Sequence, residues 1–176
     1  RWMERLPNCT VYRGHGRFVD AKTIRVGDET FSAERIFINT GGRALVPDMP
    51  GLADVSYFTN TSMLEVDFVP EHLIIVGGSY IGLEFAQMYR RFGSKVTVVE
   101  MAPRLIARED EEVSAAVKAI LENEGVSVRL NARCLTVEKL DDGIGVHVSC
   151  EEEPRRIVGS HLLLAVGRSP NTGDLG

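Results

Sequence analysis

The sequence predicts an α/β fold: a parallel sheet built on a βαβ unit, with antiparallel β-meanders beside it. Three observations carry this. Residues 72–100, HLIIVGGSYIGLEFAQMYRRFGSKVTVVE, read as a buried strand, a glycine-rich turn, a helix, a second strand and a terminal acid. Val113, Val117, Ile120 and Leu121 then recur at helical spacing before another short apolar run. From Cys134 onward, polar and apolar residues alternate, the period of a half-buried strand.

Taken in order, residues 10–18, 23–26 and 30–33 are short strand-like runs punctuated by Gly14, Gly16, Gly27 and Asp28, a small antiparallel meander. Residues 35–39 (RIFIN) read as a buried strand running into Thr40, Gly41 and Gly42. The proline-rich connector VPDMPGL marks a boundary. Residues 61–66 suit a short helical turn. The first long helix covers 80–92, with Gly93 as its stop. Strand 95–100 follows. A helix over 110–124 comes next, with acids 109–112 at its positive end and Gly125 closing it. Residues 126–130 form a third parallel strand. Runs 134–140, 145–150 and 156–159 make the second meander, with an Asp141-Asp142-Gly143 turn. Residues 161–166 (HLLLAV) are a last buried strand, running into Gly167 and Arg168.

Within the βαβ unit each residue type has a physical reason. Leu73, Ile74, Ile75 and Val76 supply the apolar, β-branched run that a doubly covered parallel strand requires. Gly77 makes the tight turn, Gly82 lets the helix approach the strand, and Ala86 keeps that helix face small. The turn and helix start, comprising Gly77, Gly78, Ser79, Tyr80, Ile81 and Gly82, present free N–H groups and a partial positive charge to a pyrophosphate. Glu100 stands 18 positions beyond Gly82, where it can accept hydrogen bonds from an adenosine ribose. This is a Rossmann-like dinucleotide-binding pattern with one departure. The second glycine of G-x-G-x-x-G is Ser79, which is expected to weaken or re-aim phosphate binding rather than abolish it. A plain βαβ packing turn without a ligand is the alternative.

Bulk properties set the bounds. The chain has 176 residues, 44% hydrophobic, with net charge −5 and dispersed basic residues. That excludes a nucleic-acid surface. No apolar run approaches the roughly 18 residues of a membrane span, so no membrane partner is expected. Residues 1–10 lack the apolar core of a signal peptide. Cys9, Cys134 and Cys150 show no paired spacing, which fits a reducing, cytoplasmic setting and buried or idle thiols. His15, His72, His147 and His161 are scattered, so no metal site and no general base are assigned. The chain starts at Arg1 rather than methionine and ends in the loop-like SPNTGDLG, and so reads as part of a longer protein.

Four motifs in order, IFINTGGRALVPDMPG, GGSYIGLEFA, GSKVTVVE and LLLAVGRSPNT, resemble the flavin-dependent pyridine nucleotide–disulfide oxidoreductases. Lipoamide dehydrogenase, glutathione reductase and mercuric reductase belong to that family. The resemblance implies a domain plan: 1–68 as a partial FAD-domain segment, 69–168 as the NAD(P)-binding domain, and 169–176 as the return to the FAD domain. It implies that Tyr80 gates the nicotinamide pocket, that Glu84 lies near the nicotinamide, and that Thr40 and Gly41 lie on the flavin side. Gly167 and Arg168 resemble the family's GR-x-PN turn near the cofactor. A parent enzyme would pass hydride from NAD(P)H to FAD and on to a disulfide, metal ion or other acceptor, as a homodimer. This chain would hold no catalytic residue of its own and would be inactive alone. An NADH-sensing module of a flavoprotein without the redox cysteine pair is the alternative.

For the cofactor, Glu100 favours NAD(H) over NADP(H), because a carboxylate repels a 2′-phosphate and accepts from a 2′-hydroxyl. Arg104 and Arg108 leave a case for NADPH, but are expected to pair with Glu109, Glu111 or Glu112. The run LIARED resembles the mercuric reductase branch.

Overall fold

The computed structural model of the chain describes residues 2–149 and 155–176. They form two compact units, Arg1–Arg43 with Ser169–Gly176, and Ala44–Arg168.

In the first unit, β1 (Gly16–Asp20), β2 (Thr23–Val26) and β3 (Glu29–Ser32) form an antiparallel meander in the order β1-β2-β3. Val26 pairs with Glu29, so Gly27 and Asp28 make the connecting turn, and Gly27 supplies the positive φ it needs. The first strand is shorter than expected. It starts only at Gly16, because Gly14 takes a φ of 152° that interrupts the extended run. Residues 35–39 depart further from expectation: they form no strand. Phe37 is 89% exposed and Ile38 57%. Among the described residues no neighbouring strand pairs with this run, and a β-strand exists only through its ladder partners. The short strand β4 (Gly42–Ala44) follows.

The second unit starts at Ala44, ahead of the boundary at residue 69 read from the sequence. The intervening residues belong to its packing: Met49, Leu52 and Met63 are buried. A single turn of helix, α1 (Asn60–Met63), is closed by a capping box between Thr59 and Ser62. The central elements are β5 (His72–Val76), α2 (Tyr80–Arg91), β6 (Lys95–Val99), α3 (Glu111–Asn123) and β7 (Ser127–Arg129). Then come β8 (Arg133–Leu140), β9 (Gly143–Ser149), β10 (Arg156–Gly159) and β11 (His161–Leu164). The last strand, β12 (Arg168–Pro170), pairs with β4, a two-stranded sheet not foreseen from the sequence. Cys150, placed in a strand by the sequence pattern, lies outside the described residues.

Strands β11-β5-β6-β7 make one parallel sheet, so the fold is α/β as expected. Both of its faces are covered. Leu73, Ile75, Val96, Val98 and Leu163 pack against Leu83, Ala86 and Leu121 of the two helices. Ile74, Val76, Val99, Leu162 and Leu164 pack against Val137, Val146 and Ile157 of the antiparallel sheet β10-β9-β8. This double cover is why β5 reads as an unbroken apolar run instead of an alternating one. Each fully buried aliphatic side chain contributes about 1.5–3 kcal/mol. The β8–β9 hairpin closes through Asp141 and Asp142, with Leu140 opposite Gly143.

Helix α3 lies rotated from its expected face. Leu121 is buried and Val117 partly so, but Val113 and Ile120 are exposed. Ser114 takes the inward position, and its hydroxyl donates to the carbonyl of Leu105 at 2.7 Å. A satisfied hydroxyl costs little to bury, so a polar residue sits where the apolar pattern pointed elsewhere.

Candidate nucleotide site

The site forms at the carboxyl ends of β5 and β6, the usual ligand position in an open α/β sheet. Gly77 leaves β5 with a φ of 112°, and its N–H donates to Val99 at 2.9 Å. A Cβ there would lie 2.4 Å from the carbonyl oxygen of Ala165. A Cβ on Gly82 would lie 2.1 Å from the carbonyl oxygen of Gly77, so glycine alone lets α2 start this close to the strand. A Cβ on Gly78 would meet Leu105 Cδ2 at 2.6 Å.

The serine departure has a local explanation. Ser79 caps α2 with φ −96° and ψ 178°, an extended conformation open to any residue. Its side chain makes no capping bond to the helix. The first N–H groups of α2 have no intrahelical partner, and Arg90 and Arg91 at the far end suit the helix dipole. Arg91 also grips Glu124 through two hydrogen bonds, 2.9 and 2.7 Å, tying α2 to the end of α3. That contact holds the Glu124 carboxyl below its usual range.

A cavity of about 430 Å³ opens over this turn. Gly77, Gly78 and Ser79 form its floor, with Tyr80 and Ile81 from the helix start. Glu100 borders it, half-buried at the end of β6. Gly167 and Arg168 close the side that follows β11. Eight of the residues expected from the sequence to bind cofactor therefore share one cavity, joined by Arg108. Gly82 lies buried beneath the turn. Glu84 does not line the cavity and is exposed one turn along α2, while Tyr80 is 63% exposed at the rim.

Thr40 and Gly41 belong to the other compact unit. There the Thr40 carbonyl accepts from Asn171 Nδ2 at 3.1 Å, and the Gly41 carbonyl from the Asn171 N–H at 3.0 Å. Thr40 lines a separate cavity of about 680 Å³ with His15, Arg43 and Asp174.

The sequence reading named Arg108 only as a case for NADPH and missed Ile106 and Ala107; the segment 106–108 forms the remaining wall with Ala165 and Val166. Ile106 adopts a φ of 40°. A β-branched residue is rarely found there, at a cost of about 1–2 kcal/mol, so no sequence signal announces it. The Ile106 N–H donates to the Gly78 carbonyl at 2.9 Å, which places the segment against the turn. The expected pairing of Arg104 and Arg108 with nearby glutamates is absent among the described residues. Arg104 Nη2 instead donates to the Ala107 carbonyl at 3.0 Å, and Arg108 lines the cavity.

The Pyridine nucleotide-disulphide oxidoreductase family model matches residues 2–175. The chain belongs to this family. Among its oxidoreductase relatives, the probable pyridine nucleotide-disulfide oxidoreductase RclA of Escherichia coli (strain K12) is 36% identical over 175 residues. That match covers 97% of this chain and 39% of the relative. A mercuric reductase of Bacillus cereus is 36% identical over 160 residues, covering 91% of this chain and 25% of the relative. A solved structure of the HOCl-induced flavoprotein disulfide reductase RclA from Escherichia coli superposes with a TM-score of 0.82 at 35% identity. It covers 98% of this chain and 39% of that one, so the chain spans about two fifths of its oxidoreductase relative.

Among the described residues, no group of three His, Cys, Asp or Glu side chains could hold a metal ion. No helix there is long and apolar enough to cross a membrane. His147 meets Glu138 at 3.0 Å, and His161 packs between Phe58 and Phe68. Cys9 is a half-buried free thiol.

Proposed function

We propose that this chain is the NAD(H)-holding part of a flavin-dependent oxidoreductase, with 69–168 as the nucleotide domain, 1–68 as part of the FAD domain and 169–176 as the return to it. The observation that carries the reading is the cavity bounded at once by a glycine turn, a helix N-terminus and a strand-end carboxylate. The fit to a dinucleotide rests on the turn itself. Any Cβ at Gly77 or Gly82 would collide with backbone, so both positions keep the helix start against the sheet.

When bound, the nicotinamide supplies hydride to the flavin. The chain's own residues bind and orient. The first-turn N–H groups of α2 would hold the pyrophosphate. Glu100 would accept from the adenosine ribose and disfavour a 2′-phosphate, so NAD(H) is preferred over NADP(H). Arg108 adds a cation at the cavity wall for phosphate charge. Tyr80, at the rim, would cover the nicotinamide, with Glu84 near it. Gly167 and Arg168 would border the same ligand, and Thr40 and Gly41 would lie on the flavin side. The whole protein would be a cytoplasmic homodimer that delivers electrons to a disulfide, metal ion or other acceptor.

Calorimetric titration of the chain with NADH and with NADPH tests this reading. Saturable NADH binding with a preference over NADPH is expected. A preference for NADPH would reverse the cofactor assignment, and binding of neither would remove the nucleotide reading.

A further inference from the structure

We infer that Glu100 is a positioning residue for the phosphate-binding turn, beyond any contact it makes with a ribose. The inference rests on the nucleotide reading for its consequence, but not for its geometry. The Glu100 backbone is fixed on both sides, its N–H donating to Arg129 at 2.8 Å and its carbonyl accepting from Ala132 at 3.0 Å. The carboxylate is engaged at both oxygens. Oε2 accepts from the Gly78 N–H at 2.5 Å, and Oε1 from the Ala102 N–H at 2.8 Å. These are charge-assisted bonds in a half-buried setting, the stronger kind.

Gly78 is thereby held through both of its polar backbone groups by the segment that follows β6. Its N–H goes to Glu100, and its carbonyl accepts from Ile106. Its Cα faces the fully buried Leu105, against which any side chain would collide. Two consequences follow. The Gly78 N–H is already committed, so a pyrophosphate must rely on the free N–H groups at the start of α2. The place of that helix start relative to Arg108 depends on the carboxylate that ties the turn to the 100–108 segment. Each oxygen keeps a further lone pair, so the same group can still accept from a ribose.

The test separates bracing from ribose contact with a ligand that has no adenosine. Reduced nicotinamide mononucleotide carries the nicotinamide, its own ribose and one phosphate, and lacks the adenosine ribose. In the unsubstituted chain, NMR is expected to show the Gly78 amide proton shifted downfield and protected from exchange. Glu100→Gln keeps the size but replaces one acceptor oxygen by an amide nitrogen. It is expected to move the Gly78 or Ala102 amide upfield and speed its exchange. The same variant is expected to weaken both NADH and the mononucleotide by about threefold to tenfold, the worth of one hydrogen bond. A loss for NADH with unchanged mononucleotide affinity would make Glu100 a ribose acceptor only and overturn the inference. So would an unprotected Gly78 amide in the unsubstituted chain. If neither nucleotide binds that chain, the nucleotide reading fails, and the amide measurements alone decide the brace.

Discussion

Residues 35–39 (RIFIN) and β5 (HLIIV) are apolar runs of the same length and similar β-propensity, and they meet opposite fates. β5 sits between β11 and β6, with four of its five residues buried. The other run is unpaired among the described residues and largely exposed. Composition separates them only by Arg35 and Asn39 at the ends of the first run. What differs is the presence of ladder partners and of a layer on each face. Strand propensity is thus a fit to neighbours rather than a property of the segment.

The contrast is sharpened most by removing a side chain from each run. Ile75→Ala leaves a hole in a completely buried position and is expected to cost about 2–5 kcal/mol in urea unfolding. Phe37→Ala should change the same midpoint by no more than about 0.5 kcal/mol. Equal losses would mean that the exposed run is packed in solution. The next effect concerns the turn that the buried strand supports. Gly82→Ala forces a methyl group into the Gly77 carbonyl and is expected to cost about 1–3 kcal/mol of stability, with a matching drop in NADH affinity by calorimetry. An unchanged protein would show that the helix start moves freely.

Glu100→Ala is smaller in effect. It is expected to weaken NADH by about 1–2 kcal/mol and to narrow its lead over NADPH. No change for either nucleotide would take the carboxylate out of the site. The smallest effect is at the opposite end of β5. Burial, with Lys95 beside it, holds the His72 imidazole below its ordinary 6.5, and its ring meets Thr97 Oγ1 at 2.9 Å. The unfolded chain therefore takes up this proton first. The stabilising contribution is present above pH 6.5 and is lost as the pH falls below it. His72→Gln should flatten the fall in thermal midpoint between about pH 7 and about pH 5. His161, also held low by burial, would keep the remaining slope. An unaltered slope would show that His72 titrates alike in both states.

The βαβ unit was legible in the sequence because its glycines and terminal acid have fixed spacings, set by backbone geometry. Six of the eight predicted cavity residues belong to that unit, while Gly167 and Arg168 were given by the resemblance of LLLAVGRSPNT to the family's turn. Arg108 was legible only as a case for NADPH, and the wall made by Ile106 and Ala107 was not, because Ile106 occupies a conformation that β-branched residues avoid, and the contact that holds it is between backbone atoms. The face of α3 was misjudged because Ser114 satisfies its hydroxyl on Leu105, which no hydrophobic periodicity can register. The exposure of Phe37 and Ile38 depends on which strands are present, information that lies outside the run itself.

The most direct test of the central claim is an amide chemical-shift map recorded as NADH is added. The account predicts that shifts concentrate at residues 77–82, Glu100, 106–108 and Gly167, with the β1-β2-β3 meander silent. Shifts confined to that meander, or none at saturating NADH, would contradict it.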